Sequence, residues 1–353
     1  MIDVDAIAAQ VKQNCNISDA RYWGYYSPCG LLLRLRDLYK VEHGLKPWDK
    51  ISHKAVGSWI DIRESLWQER ESQEFQEIEI EGTGYGAFEV SGINEVLLEQ
   101  GLFYGAGYGN MLKPVFVLAE LSERIVKGKY NIYITGRELA RDLSTSPAMI
   151  QGHTIIARKE TARMFLWGKF EEMKSRKCAG SLHHAFSEYG ISGDFDDTTL
   201  EGPFSRLVQE ELSSYVYHEL GEASQRRILG RWWKQLLLNI PHSRAELFVR
   251  SLKDVLSDTC RSGMISYIVE KKKAGSLSFY VSLLSGFRKM IFPDMLPAYE
   301  AFRKTNNWDI IERARGEGYK KAVDYVRSLK DMFDKDKVSS KEIEQELMTH
   351  FKI

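Results

Sequence analysis

Apolar residues recur at spacings of three and four along most of this 353-residue chain, and that period limits what it can fold into. Between Pro28 and His43, Leu31, Leu32, Leu35, Leu38 and Tyr39 are interleaved with Arg34, Arg36, Asp37 and Lys40, which predicts a helix with one apolar stripe. The same pattern runs through 93–98, 114–126, 161–173, 204–229, 245–256, 276–290 and 308–333. Strand signals are few: Glu77–Glu81 alternates with period two, and Tyr130–Ile134 is rich in β-favouring residues before Gly136. The expected fold class is therefore mainly α, with two helical lobes, the first carrying a small β element.

Large apolar residues thin out over 175–203, where Gly180, Gly190, Gly193, Gly202, Asp194, Asp196 and Asp197 gather, so the domain break is expected near residue 195. This gives an N-terminal α(+β) lobe over 1–195 and a helical lobe over 196–333. A polar hinge and a short helix from about Ser340 fill 334–353. No period of about 20–50 residues repeats, which argues against a solenoid.

Forty-nine Lys and Arg balance 49 Asp and Glu. A neutral chain lacks the global electrostatic footprint of a protein that wraps nucleic acid or lies on an anionic membrane, so partners must be argued locally. Locally the charge is uneven. Residues 60–100 hold eleven acids against Arg63 and Arg70, whereas 113–177 hold thirteen basic residues against seven acids. Solvated helix faces account for such runs most simply. Cys15, Cys29, Cys178 and Cys260 form no C-x-x-C pair, which suits a reducing compartment. The N-terminus carries acids where an export signal carries positive charge, and no apolar run approaches the ~18 residues of a membrane span. A cytoplasmic protein without membrane contact is expected.

Three segments could carry chemistry. In 204–229, Val208, Leu212, Val216 and Ala223 define an apolar seam, and Glu219 falls within it, so a carboxylate is predicted to point inward. Glu211, Tyr215, His218 and Glu222 form a polar flank beside that seam. His218 and Glu222, one turn apart, could share a proton or a divalent transition metal, with Glu211 as a further ligand. His218 and Glu219 would then be acid/base groups, unless Glu219 simply pairs with Arg226 or Arg244. His242 and Glu246 resemble a facing pair, but Ser243-Arg-Ala-Glu246 reads as a helix capping box. His218-Glu-Leu-Gly-Glu222 also lacks the second histidine of a zinc-protease motif.

In the second segment, Thr135-Gly-Arg-Glu138 reads as a capping box, Leu139, Ala140 and Leu143 as a helix, and Ser144-Thr-Ser-Pro147 as a break before another helix. With Ala140, Ser144 and Ile150 placed in this way, the segment resembles a helix-turn-helix, and the preceding helix and 132–134 strand would suit a winged form. The resemblance covers about 25 residues. It implies DNA reading by Gln151, His153, Thr154 and Arg158, with Lys113, Lys127, Lys129 and Lys159 on phosphates. The alternative is a buried helix pair.

The third segment is Ser27-Pro-Cys29-Gly30. Ser27 as N-cap and Pro28 at the first helical position put Cys29 in a first turn, where a thiolate nucleophile is favoured. A buried structural cysteine is the alternative reading. The strings Gly82-Thr-Gly84-Tyr-Gly86 and Gly105-Ala-Gly107-Tyr-Gly109 meet neither nucleotide-loop pattern and read as aromatic-flanked turns, although a helix opening at Lys113 and Pro114 would allow weak anion binding after the second. These features describe an interaction or regulatory protein that works without catalysis, its partner most simply another protein. The alternatives are a metal-assisted or acid/base enzyme using Glu211, His218, Glu219 and Glu222, or Cys29, and a DNA-binding regulator using 135–160.

Overall fold

A computed structural model describes residues 2–109, 112–176, 180–191, 197–241 and 243–335, together with 341, 344–345 and 348–349 of the tail. The chain is mainly α-helical with two compact units, the first of which contains the β-structure. Unit 1 comprises Met1–Glu172 and Asp197–Leu212, and unit 2 comprises Met173–Asp196 and Ser213–Ile353. The break expected near 195, the helix start at Ser340, Cys178 and His242 all lie outside the described residues.

Unit 1 opens with α1 (Val4–Tyr22), α2 (Pro28–Glu42) and α3 (His53–Arg70). Asp3, Ser27 and Ser52 cap them, each accepting a hydrogen bond from the backbone N–H three residues on. A small hairpin follows, β1 (Ile78–Ile80) and β2 (Thr83–Tyr85), then α4 (Val90–Leu97). The main sheet holds β3 (Leu102–Tyr108), β4 (Pro114–Lys127), β5 (Tyr130–Arg141), β6 (Ala148–Gln151) and β7 (Thr154–Arg158), in the order β3-β4-β5-β7-β6. All neighbours are antiparallel except β5 and β7. Ile7, Val11 and Cys15 of α1 pack on Tyr104, Ala106, Phe116 and Leu118 of the sheet. Burying each such aliphatic side chain contributes roughly 1.5–3 kcal/mol. α5 (Lys159–Arg176) as far as Glu172, and the start of α7 (Asp197–Ser224), complete the unit.

The sheet corrects three expectations. Residues 114–126 are strand rather than helix, so Lys113 and Pro114 open no helix. Residues 135–158 form the end of β5, a turn and the β6–β7 hairpin, so the helix-turn-helix and its Thr135 cap are absent. Branched and aromatic side chains such as Val115, Phe116 and Val117, all paired with β3 and from Val117 onward with β5 as well, favour the pleated state over the helix. Lys127 pairs with Tyr130 around Gly128, whose φ of 60° suits a two-residue hairpin turn. The second glycine string is likewise no loop, since Gly105 and Gly107 lie within β3. A Cβ on Gly105 would stand 2.7 Å from Ile156 Cδ1, so the glycine lets β7 side chains lie against β3.

Unit 2 holds α6 (Ser181–Ser187), the rest of α7, α8 (Arg226–Asn239), α9 (Arg244–Thr259), α10 (Met264–Glu270), α11 (Ala274–Ser282), α12 (Gly286–Ile291), α13 (Met295–Thr305) and α14 (Trp308–Lys335). The expected 276–290 helix is two helices, because the chain turns at Gly286 with φ of 53°. On α9, Ala245, Phe248, Val249, Leu252, Val255 and Leu256 keep helical spacing and join a core with Tyr280, Phe292, Tyr299 and Val326. Ser243 caps α9, its hydroxyl accepting Glu246 N at 3.1 Å, while the Glu246 carboxylate accepts Arg250 Nε at 2.8 Å. Gly221 of α7 allows the C-terminal end of α9 to approach, for a Cβ there would stand 2.3 Å from Ser257 O.

Candidate functional site

Unit 1 carries a half-open cavity of about 840 Å³ whose walls come from α1, the segment after α2, β5, α5 and α7. Its polar lining includes Lys12, Arg141, Lys159, Glu160 and Arg163. Arg163 Nη1 bonds Glu201 at 2.7 Å, and Lys46 Nζ reaches the same carboxylate at 3.0 Å. These bonds outweigh the burial penalty and hold the Glu201 carboxyl down at about 2. Lys12 and Lys159 have no carboxylate partner among the described residues. Asp5 of the same lining is exposed.

Beneath the cavity lies an ion network that spacing alone did not reveal. Glu138 of β5 accepts Arg158 Nε at 2.9 Å and Nη2 at 2.7 Å, and Thr161 Oγ1 at 2.8 Å. Arg141 Nη1 stands 3.3 Å from the same carboxylate. Burial pushes the Glu138 carboxyl up, but Arg158 and Arg141 outweigh it and hold it below its usual range. Glu138 N donates to Glu160 Oε2 at 2.6 Å. Burial, and then the Glu138 charge, push the Glu160 carboxyl up to about 7. A carboxyl that changes charge near neutrality inside a cavity can bind, give or take a proton. Its sequence signal is a charged triplet, Arg158-Lys159-Glu160, closing an apolar strand.

A second buried network joins Lys113 Nζ to Asp19 at 3.0 Å and Asp142 at 3.2 Å. Leu143 N donates to Asp19, and Phe116 N to Asp142. Burial pushes the Asp19 carboxyl up to about 6 despite Lys113. The placement corrects the nucleic-acid expectation for two residues: Arg158 and Lys113 are buried and paired, so neither can reach a phosphate. Gln151 and His153 sit at and beside the β6–β7 turn, with His153 exposed.

In unit 2, His218 Nδ1 lies 2.7 Å from Asp258 Oδ1, and Arg288 Nη2 lies 2.9 Å from Asp258 Oδ2. Burial pulls the His218 imidazole down, but Asp258 overrides it and raises it to about 10, so the ring is cationic at neutral pH. Glu219 is 8% exposed, and burial pushes its carboxyl up to about 7. Glu222 bonds Lys253 at 2.8 Å. Glu211 is buried on the part of α7 that belongs to unit 1. No group of three or more His, Cys, Asp or Glu among the described residues is placed to hold a metal ion, so Glu211, His218 and Glu222 are not brought together as a ligand set. Cys29 is exposed in the first turn of α2 and makes no hydrogen bond to a histidine among the described residues. No helix among the described residues is long and apolar enough to cross a membrane.

Sequence comparison matches residues 6–158 to the N-terminal domain, and residues 163–351 to the C-terminal domain, of a family described as Family of unknown function (DUF6866). No curated protein and no solved structure matches the chain.

Proposed function

The chain belongs to the DUF6866 family, and we propose that it is a cytoplasmic regulatory protein whose unit 1 cavity binds a small, polar, anionic molecule. The observation that carries this reading is the pair of lysines, Lys12 and Lys159, lining the cavity without a carboxylate partner among the described residues. Ammonium groups held in a concave, partly desolvated site attract a phosphate or carboxylate more strongly than they do on an open surface. The volume falls within the roughly 300–1,000 Å³ range of small-molecule sites. Glu160 adds a switchable group: neutral, it donates to the anion, and ionised, it repels it. The thiols Cys15, Cys29 and Cys260 suit a reducing cytoplasm.

Calorimetric titration with inorganic phosphate, nucleoside mono- and diphosphates, and di- and tricarboxylates tests the reading. A ligand bound below about 1 mM is expected, weakened at least tenfold by Lys12→Ala plus Lys159→Ala and tightened as pH falls from 8 to 6. Absence of binding across the panel would overturn it.

A second reading, acid/base catalysis in unit 2, draws on the 2.7 Å contact between His218 and Asp258. Because the ring is held cationic, its role would be that of a general acid or an anion-stabilising donor. Hydrolysis of chromogenic esters or phosphoesters that disappears in His218→Gln would support it, and no turnover by the native chain would end it.

A further inference from the structure

We infer that the chain pairs with a second copy of itself through the open edge of β4, residues 122–127. From Val117 to Glu120, β4 lies between β3 and β5, and the last contact on the β3 side is Leu121 N donating to Gly101 O at 2.8 Å. Beyond it, β4 pairs with β5 alone, and no strand among the described residues lies along its other edge. The side chains there are exposed, with Val126 at 65% and Ile125 at 37%. An exposed, paired-on-one-side strand with branched side chains is a template for another strand.

The direction of each backbone group follows from the ladder. Asn131 N donates to His153 O at 2.9 Å, toward β7. Strand residues alternate, so Tyr130 and Ile132 turn toward β4, and their partners Lys127 and Ile125 turn toward β5. Arg124 and Val126 therefore turn their N–H and C=O groups toward the open edge.

The side-chain order selects the occupant. In an antiparallel pairing about a two-fold axis at Ile125, Arg124 of one copy faces Val126 of the other, and these are the outward-turned residues that exchange backbone hydrogen bonds. Glu123 then faces Lys127, twice, and Ile125 faces Ile125, all in the closely spaced positions on one side of the ribbon. Charges on an edge strand ordinarily discourage pairing. In this register they become complementary, and the interface is self-matching as a two-fold dimer requires.

Sedimentation equilibrium of the full chain tests the pairing. Because the contact is small, a monomer–dimer equilibrium within about 1–300 µM is expected. Val126→Pro removes an outward N–H at a position where an edge strand tolerates proline, and should leave a monomer with an unchanged circular-dichroism spectrum. E123K and K127E each set like charges opposite one another and should weaken the dimer at least tenfold, whereas the double variant restores it. The charge series decides the matter if the proline variant fails to fold. A native chain that stays monomeric throughout overturns the inference. So does a dimer indifferent to these changes, or a double variant no stronger than the single ones. A monomer that instead retards DNA in a salt-dependent way assigns the edge cations to a polyanion and overturns it as well.

Discussion

Arg158 grips the Glu138 carboxylate with two nearly parallel hydrogen bonds, Nε to Oε1 at 2.9 Å and Nη2 to Oε2 at 2.7 Å. Both side chains are almost wholly buried, at 2% and 0% exposure. The pair joins β5 to the end of β7, and Thr161 ties α5 to the same carboxylate, so one ion pair fixes the floor beneath the cavity.

Removing one partner should cost more than removing both. Arg158→Met leaves a buried carboxylate that keeps only Arg141 and Thr161, and is expected to lower unfolding free energy by about 3–5 kcal/mol. Adding Glu138→Leu should recover part of that loss, because it removes the orphaned carboxylate but also takes the counter-ion from buried Arg141. Urea unfolding of the four-member cycle reads the coupling, and additive losses would show that the pair acts as two independent residues.

Much of the helical architecture was legible because its signals are local. Ser27, Pro28 and Ser243 occupy the cap positions their types suggest, and the seam of Val208, Leu212, Val216 and Ala223 is buried. β4 was not legible, because Val115, Leu118, Leu121 and Ile125 are spaced as on a helix while 114–119 are buried on both faces and so lack alternation. Glu138 has the local pattern of a cap residue, and its partner Arg158 stands twenty residues away, brought near only by strand pairing. The cavity depends on α1, β5, α5 and α7 meeting, and no spacing within one segment records that.

Glu160 should make stability fall as pH rises. Its folded carboxyl is raised to about 7, above the usual value near 4.3 in an unfolded chain. The stabilisation relative to an ionisable group in the unfolded state is therefore complete below about pH 4 and is lost as pH climbs through 7. Relative to Glu160→Gln, the native chain should lose up to about 1.4 kcal/mol per pH unit between pH 5 and 7 and then level off. Urea midpoints at pH 5, 6, 7 and 8 measure this, and parallel curves for the two proteins would place the Glu160 titration at its ordinary value.

Gly105 and Gly221 should resist even the smallest enlargement. Alanine at 105 brings a methyl group to 2.7 Å from Ile156 Cδ1, a side-chain tip that can give way, so a loss of about 1–3 kcal/mol is expected. At 221 the obstacle is backbone, Ser257 O at 2.3 Å, and the helices themselves must separate. Gly221→Ala should therefore be the more damaging change. Thermal unfolding of the two variants ranks them, and equal melting temperatures would mean that α7 and α9 part without strain.

Asp258 holds two cations from different helices, His218 of α7 and Arg288 of α12, and Asp258→Asn separates its charge from its shape. Asparagine fits the space and can still accept one hydrogen bond, but it no longer offsets the burial that disfavours the imidazolium. The His218 proton should therefore leave several pH units lower than in the native chain, where the ring is raised to about 10. Loss of the buried charge should also cost about 3–5 kcal/mol at pH 7. The native ring gains stability fully below about pH 6.5 and loses it as pH rises through 10, so the native chain should weaken over that window while the variant does not. Imidazole resonances followed by NMR across pH 5–10 report the proton directly, and urea unfolding reports its energetic weight. A His218 ring that titrates near 6.5 in both proteins would mean that the Asp258 contact does not hold the charge, and the general-acid reading of unit 2 would fall with it.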